Sequence, residues 1–445
     1  MQSAQNGSTQ ANYAPVAYTA AGNVSSLALG NGVTEQSSWN DRLQMTGLAA
    51  TQAGGSSVLS LNFYPCANQA TACPTGNTGS VQSQTIAAAG LNVTQTYSYD
   101  AANRLSGASE GPAWSRSLAY NSSSGYNSGN MYVSANSGVP LSSFTPTGAS
   151  NFNSQNQLLI QSSGYDGAGN QTLIGGYAPR FDAEERMVSA SLNGSTVIYV
   201  YDGLGQRVMK QVGSGSGAIT TLYVYDAFGN LDAEYTTGAS GVSPCGTATC
   251  YVTVDNLGST RMVTDSAGNV ARRYDFLPFG EELFAGIGGR TAGMGYQTEA
   301  DGFNPKFTGQ YRDTELVGSA DANGMDYFHA RYYSPAQGRF VSPDPGNAGA
   351  DLADPQRWNG YAYVGNDPLS YGDPSGLFVE AAGLGSTAGP WGALVGGLID
   401  LSELLWFGSW GNIPVLNIAQ FSTTVWAENE GVQTMSSTLP STTVL

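Results

Sequence analysis

The sequence predicts an all-β protein, and three observations lead to this prediction. Glycine provides 59 of the 445 residues, tyrosine outnumbers phenylalanine by 25 to 15, and only 11% of residues are charged. Tyrosine, valine and threonine favour pleated surfaces, whereas glycine and asparagine favour turns. Apolar and polar residues alternate in runs such as 197–201 and 221–225, which is typical of strands. With 41% hydrophobic residues, disorder is not expected beyond the N-terminal part.

A short motif recurs along the chain. It consists of an aromatic residue, Asp or Asn, two variable residues, then Gly, Asn or Glu, a polar residue and a hydrophobic one. The clear copies begin at Tyr99, Phe152, Tyr165, Phe181, Tyr201 and Tyr225. The Asp side chain can bond its own backbone two residues on, and the Gly or Asn three residues after it can adopt a positive φ.

Each copy therefore predicts a β-hairpin with its tip at the Asp. The tips are expected at Asp100, Asp166, Asp182, Asp202 and Asp226. Because one hairpin cannot bury a face alone, successive hairpins are expected to stack into a long curved sheet. The steps from Tyr165 to Tyr225 are 16, 20 and 24 residues, and this variation leaves a generic antiparallel sandwich as the alternative.

Charge and cysteine content exclude several functions. The net charge is −17, which argues against nucleic-acid binding because neutralising phosphates requires a basic surface. Two close cysteine pairs, Cys66 with Cys73 and Cys245 with Cys250, predict two local disulfides, with free thiols as the alternative. Since the chain has one histidine and no CxxC spacing, neither a metal nor another cofactor is expected.

The repeated motif resembles the YD repeats of bacterial Rhs proteins, Tc-toxin C components and animal teneurins. In that family the repeats form one sheet wound into a hollow shell, so the resemblance implies a partial cocoon. Residues 251–377 resemble the Rhs repeat-associated core. The matching segments are Tyr274-Asp-Phe-Leu-Pro-Phe-Gly280, Tyr327-Phe-His-Ala-Arg-Tyr-Tyr333, Gly338-Arg-Phe-Val-Ser-Pro-Asp-Pro345 and Asp373-Pro-Ser-Gly-Leu377. The expected division is a lead-in of degenerate repeats (1–98), a YD-repeat region (99–250), the core (251–377) and an effector-like tail (378–445).

The family's core is similar to a self-cleaving aspartic protease that cuts just after a terminal Asp-Pro-x-Gly-Leu. Carried over, the scissile bond is Leu377–Phe378, Asp344 and Asp373 are the catalytic pair, and Arg339 is a candidate to hold one of them anionic. Two nearby carboxylates cannot both ionise cheaply, so one serves as an acid while the other activates water. Their carboxyl oxygens are expected within about 6 Å of each other.

The sequence departs from the family pattern near this pair. Asp344 is followed by Pro-Gly-Asn rather than Pro-x-Gly, and 28 residues separate it from Asp373. Asp-Pro pairs also begin turns without any chemistry, which is the structural interpretation of the same residues. His329 is expected to be a packed core residue, and Arg331, like Arg339, to pair carboxylates structurally. Further candidate partners of Asp373 are Asp351, Asp354 and Asp367.

The tail differs from the rest of the chain. No Lys, Arg, His or Cys follows Arg357, which removes the usual equipment of a nuclease or deaminase. Residues 391–407 form an apolar run with two acids near its centre, and it predicts a helix inside the shell rather than a membrane span. No signal peptide follows Met1, so we expect either another export route or a piece of a longer chain.

Two functional hypotheses follow. The first is a shell segment of a secreted bacterial Rhs-type polymorphic toxin that encloses its own C-terminal effector. It would be at most an intramolecular aspartic autoprotease, with secretion machinery as a further partner. The second is a cell-surface scaffold for adhesion or carbohydrate binding, without catalysis. Neither involves a cofactor or nucleic acid, and measuring the mass of the purified chain would separate them.

Overall fold

The structure is a computed structural model that describes residues 3–6, 9–12, 16–66, 69–70, 77–120, 129–226, 231–237, 244–246, 249–315, 324–347, 355–377 and 379–381. In these ranges the regular structure is β-strand apart from short 3-10 helices, which confirms the all-β prediction. The helices are Ala149–Asn151, Gly215–Gly217, Ala292–Met294, Phe307–Gly309, Pro345–Asn347, Pro355–Trp358 and Val364–Asn366. None of the helices in the described ranges is long and apolar enough to cross a membrane. The apolar run 391–407 lies outside the described residues.

The first large sheet contains ten antiparallel strands that pair in chain order. A separate hairpin of β1 (Ser3–Asn6) and β2 (Thr9–Asn12) precedes it. The ten strands of the large sheet are β3 (Ala17–Tyr18), β4 (Val24–Ala28), β5 (Thr34–Trp39), β6 (Met45–Thr51), β7 (Ser57–Tyr64), β8 (Ser83–Ala88), β9 (Leu91–Tyr99), β10 (Leu105–Glu110), β11 (Trp114–Ala119) and β12 (Tyr132–Ser137). The predicted boundary between residues 98 and 99 falls within β9, and the division into domains stays a prediction.

The second large sheet contains six antiparallel strands, also in chain order. A two-stranded hairpin, β13 (Gly164–Tyr165) and β14 (Gln171–Leu173), precedes it. The six strands of the second large sheet are β15 (Ala178–Phe181), β16 (Met187–Leu192), β17 (Ser195–Tyr201), β18 (Arg207–Val212), β19 (Ile219–Tyr225) and β20 (Leu231–Thr237). In β17 the side chains of Val197 and Tyr199 are buried, whereas those of Ile198 and Val200 are exposed. The alternation read from the sequence therefore gives one packed face and one open face.

The segment from residue 251 onward forms smaller antiparallel sheets. Three strands make the first of them: β21 (Tyr251–Val254), β22 (Thr260–Thr264) and β23 (Val270–Arg273). Four strands make the second: β24 (Tyr311–Asp313), β25 (Met325–Phe328), β26 (Arg331–Ser334) and β27 (Arg339–Phe340). A last pair consists of β28 (Tyr371–Gly372) and β29 (Glu380–Ala381).

This core segment packs against both large sheets. Three hydrophobic clusters contain residues of a large sheet together with residues of the core segment. In one of them Trp114 of β11 shares a cluster with Phe328 of β25. In another, Tyr199 of β17 lies 5.4 Å from Tyr332 of β26, measured between ring centroids. The candidate site is therefore built on strands that are fixed by packing on both sides.

The hairpin turns have the geometry that the motif predicts. The Asp202 carboxylate accepts hydrogen bonds from the backbone N–H groups of Leu204 and Gln206, both at 2.9 Å. Gly205 has φ +81°, the left-handed conformation that closes a three-residue turn. The same backbone and side-chain bonds occur at Asp100, Asp166 and Asp182. These four predicted tips are confirmed, whereas the turn after Asp226 lies outside the described residues.

Candidate self-cleavage site

Two of the predicted aspartates contact the same arginine. Arg331 begins β26 and its side chain is only 3% exposed. Its Nη1 lies 2.6 Å from Oδ1 of Asp344, and its Nη2 lies 3.4 Å from Oδ2 of Asp373. The guanidinium also lies over the ring of Phe340, 3.6 Å from the centroid. Asp344 and Asp373 are thus brought together on one buried cation, although 28 residues separate them in the sequence.

The residues before the predicted scissile bond form a tight turn around Asp373. Its Oδ1 accepts a hydrogen bond from the N–H of Leu377 at 3.0 Å. Arg331 Nε donates to the carbonyl oxygen of Gly376. Gly376 has φ +72°, and a Cβ on it would lie 2.2 Å from the carbonyl oxygen of Phe328, so only glycine fits there. A turn of this kind is also what an Asp-Pro pair without catalytic chemistry would form.

Burial dominates the electrostatics of the site. Burial lowers the pKa of the Arg331 guanidinium from its ordinary value, although Asp344 and Asp373 act in the opposite direction. Asp367, a further candidate partner of Asp373, instead accepts a hydrogen bond from Ser80 Oγ at 3.2 Å, and burial raises its pKa to about 6. The remaining candidate partners, Asp351 and Asp354, lie outside the described residues, as does Phe378 on one side of the predicted scissile bond.

Arg339 has other partners. Its Nη1 donates to Asn130 Oδ1 at 3.2 Å and its Nη2 to the carbonyl oxygen of Asn156 at 2.6 Å. Its guanidinium lies 4.3 Å from the ring centroid of Tyr361. Arg339 therefore links the core segment to the repeat region, while the ion pairs with the aspartates are made by Arg331. Both arginines begin strands of the same small sheet, so the sequence alone could not distinguish them.

The His329 side chain is buried, and the described cysteines are disulfide-bonded. The His329 imidazole lies 5.4 Å from the Tyr327 ring, and burial, with the charge of Arg207, lowers its pKa to about 4. A disulfide joins Cys245 and Cys250. Cys66 is also disulfide-bonded, and its predicted partner Cys73 lies outside the described residues.

Comparison with known proteins gives sequence relatives over parts of the chain. The chain is 27% identical to the tRNA nuclease WapA of Bacillus subtilis (strain 168) over 248 residues, which are 52% of the chain and 10% of WapA. It is 36% identical to the toxin protein Tse5 of Pseudomonas aeruginosa over 83 residues, 19% of the chain and 5% of Tse5. It is 43% identical to the probable deoxyribonuclease RhsA of Dickeya dadantii over 72 residues, 16% of the chain and 4% of RhsA. No protein-family model matches the chain.

Solved structures share the fold over most of the chain. In the TcdB2–TccC3–Cdc42 crystal structure the TM-score is 0.59 at 19% identity, over 84% of this chain and 20% of that chain. In a Photorhabdus luminescens Tc holotoxin pore it is 0.56 at 18% identity, over 83% and 19%. The chain thus spans about a fifth of these solved chains and a tenth or less of WapA, Tse5 and RhsA.

The hairpin turns and the shared fold define a YD-repeat shell. The repeated motif, the sequence relatives and the shared fold together support an Rhs/YD-repeat protein.

Proposed function

We propose that this chain is a shell segment of a secreted bacterial toxin that encloses its own C-terminal effector and releases it by cutting itself after Leu377. The observation that supports self-cleavage best is the placement of Asp344 and Asp373 on Arg331, next to the turn that ends at Leu377. Secretion and enclosure rest on the shared fold and on relatives whose names describe toxins. Those proteins are far longer than this chain, so their nuclease activities are not extended to the shell.

The proposed reaction is hydrolysis by a carboxylate pair. The shorter contact with Arg331 favours Asp344 as the ionised member, which would take a proton from the attacking water. Asp373 is 3% exposed and lies farther from the guanidinium, so it would donate a proton to the departing amide nitrogen of Phe378.

The test is the mass of the purified full chain and of two variants. The wild type is expected to yield a fragment of 68 residues, from Phe378 to Leu445. Asp373→Asn and Asp344→Asn each remove a carboxylate at nearly constant shape and should leave the chain intact. Asp202→Asn is the matched control, because Asp202 lies in a repeat turn that is distant in sequence from Asp344 and Asp373. This variant should cleave as the wild type does. A 68-residue fragment from Asp373→Asn would refute the catalytic assignment.

Enclosure has a separate readout. If the shell encloses the tail, the cleaved fragment should co-elute with the shell on size exclusion under native conditions and separate only in denaturant. An intact wild-type chain that binds immobilised glycans would instead support the cell-surface scaffold.

A further inference from the structure

Both lysines of this chain are buried beside two acids. The chain has only Lys210 and Lys306, and their exposed fractions are 4% and 0%. Lys306 Nζ lies 2.8 Å from Oδ1 of Asp301 and 3.2 Å from Oε2 of Glu282. Buried lysines are rare, and one placed against an aspartate and a glutamate has both an electrophile and a proton carrier within contact distance.

We propose that Lys306 and Asp301 condense into an intramolecular amide cross-link, with Glu282 as the catalytic proton carrier. The Nζ–Cγ bond forms and the Cγ–Oδ1 bond of Asp301 breaks. Glu282 carries two of the three ammonium protons in turn to the departing Oδ1, which leaves as water. The amide keeps the third proton, so the reaction needs no oxidant or co-reactant.

The surroundings of Asp301 suit this chemistry. The Tyr274 hydroxyl donates to Oδ2, the oxygen that the amide would keep, at 2.6 Å, and Arg272 Nε lies 3.6 Å from the same atom. Both groups would stabilise the negative charge on Oδ2 in the tetrahedral intermediate. The Tyr274 ring also lies 3.6 Å from Lys306 Nζ, measured to the centroid. The nucleophile therefore contacts an aromatic ring as well as two carboxylates.

Glu282 is suited to carry protons because it is buried. Its side chain is 3% exposed, and burial raises its pKa above the ordinary value despite the attraction of Lys306 and Arg312. Loss of water is also favoured where little solvent is present to reverse it. Formation of an amide would remove two buried charges, whose desolvation otherwise costs free energy.

The backbone fixes the position of Lys306. Its N–H donates to the Gln310 carbonyl at 2.9 Å, and its carbonyl accepts from the Thr260 N–H at 3.0 Å. Thr260 Oγ1 also donates to the Pro305 carbonyl at 2.8 Å. The two reacting residues therefore belong to one loop that is hydrogen-bonded to β22, so their contact is built into the folded core rather than made by mobile side chains.

Lys210 provides a comparison within the same molecule. Its Nζ contacts Asp313 at 3.0 Å and also Glu315, but Asp313 is ion-paired with the buried guanidinium of Arg207 as well. Arg207 and Lys210 hold the pKa of Asp313 below its ordinary value, although burial acts in the opposite direction. Arg207 contacts Asp313 at 2.5 Å, whereas Arg272 lies 3.6 Å from Asp301, so Asp313 is held more firmly as an anion and is the poorer electrophile. Lys210 should therefore remain a free amine.

Tryptic mapping of the denatured full chain tests the proposal. An amide at Lys306 blocks cleavage before Phe307, so residues 291–312 should appear as one peptide, ~18 Da lighter than its sequence because one water is lost. Cleavage after Lys210 should be complete. If Glu282 were the electrophile, the same peptide would be joined to residues 274–290, and the assignment to Asp301 would be wrong. Because both residues precede Leu377, this result does not depend on self-cleavage.

Two controls exclude other causes of the mass loss. Asp301 precedes a glycine and could lose water as a succinimide, but that product leaves the Lys306–Phe307 bond open to trypsin. Glu282→Gln keeps the shape of the side chain and should restore cleavage after Lys306 at the unmodified mass. Complete cleavage after Lys306 in the wild-type chain would overturn the proposal, whether or not the variant folds.

Discussion

At the scale of single residues, most positive charges of this protein lie inside it. Eleven of the sixteen cationic side chains are buried, and eight carboxylates of the described residues are buried with them. Arg290 shows the pattern: it contacts Glu110 of β10 through two hydrogen bonds of 2.9 Å and Asp275 of the core segment at 2.7 Å. Such pairs cost desolvation and are stabilising only when the geometry satisfies both partners. The sequence marks the arginines as candidates for ion pairs but does not assign their partners, because the contacts join residues as many as 180 positions apart.

The buried carboxyl of Asp367 predicts a pH dependence. Burial raises its pKa from 3.8 to about 6, so the folded state favours the neutral acid. The stability that the protonated Asp367 gives to the folded state is complete below about pH 4. It is lost as the pH rises to about 6, and this lowers the free energy of unfolding by up to about 3 kcal/mol. Asp367→Asn mimics the neutral acid and should therefore gain stability relative to the wild type over this interval. The measurement is the urea midpoint of both proteins between about pH 4 and pH 7.

The control for this prediction is an aspartate shifted the other way. At Asp182, hydrogen bonds from Arg186 and the turn outweigh burial and lower the pKa. Asp182→Asn should therefore lose stability relative to the wild type as the pH rises through the acidic range. A difference between Asp367→Asn and the wild type that does not change with pH would contradict the assignment.

At the scale of elements, the hairpins could be predicted from the sequence because their turns are local. All the groups that close the turn at Asp202 lie within five consecutive residues. The contacts between hairpins are not local and could not be predicted. Tyr201 Oη donates to the Met187 carbonyl at 2.7 Å, and Tyr225 Oη donates to the Arg207 carbonyl at 2.8 Å. Each of these repeat tyrosines thus bonds the residue that follows the turn of the preceding hairpin, which explains why the motif has tyrosine more often than phenylalanine.

The turn at Asp202 predicts which substitutions the repeat accepts. Asp202→Ala removes the acceptor for two backbone N–H groups and should cost about 1–2 kcal/mol. Asp202→Asn keeps an equivalent oxygen and should cost far less. Asn153 supports this, since its Oδ1 accepts the N–H groups of Gln155 and Gln157 at 2.9 Å in the same geometry. Urea midpoints of the two variants are the measurement, and equal losses would show that the carboxylate charge, rather than the acceptor oxygen, stabilises the turn.

At the scale of the whole molecule, the core segment is the interior against which both repeat sheets pack. The sequence indicated that segment by its resemblance, and its Asp-Pro pair indicated the turn that follows Asp373. It did not predict the packing, because each hydrophobic cluster joins parts of the chain that have no shared periodicity. The partner of Asp373 shows the same limit: Arg331 lies within a recognised motif, but its contact with both aspartates exists only after the core has folded. The local turns could thus be predicted from the sequence, whereas the contacts between distant parts of the chain could not.

The distribution of charge in the whole molecule predicts how salt affects stability. The net charge is −17 and most cations are buried, so the surface is dominated by carboxylates that repel one another. Ions screen exposed charges beyond about 10 Å at 0.1 M but affect buried pairs little. The urea midpoint should therefore rise between about 0.05 and 0.5 M NaCl.

The buried ion pairs should respond differently to salt. Arg290→Met leaves Glu110 and Asp275 without one buried partner and should lose about 3–5 kcal/mol at both salt concentrations. Arg180→Met, at an exposed position, should change stability by no more than about 0.5 kcal/mol. If surface ion pairs stabilised the shell instead, the wild-type midpoint would fall with salt and the loss in Arg290→Met would shrink with it.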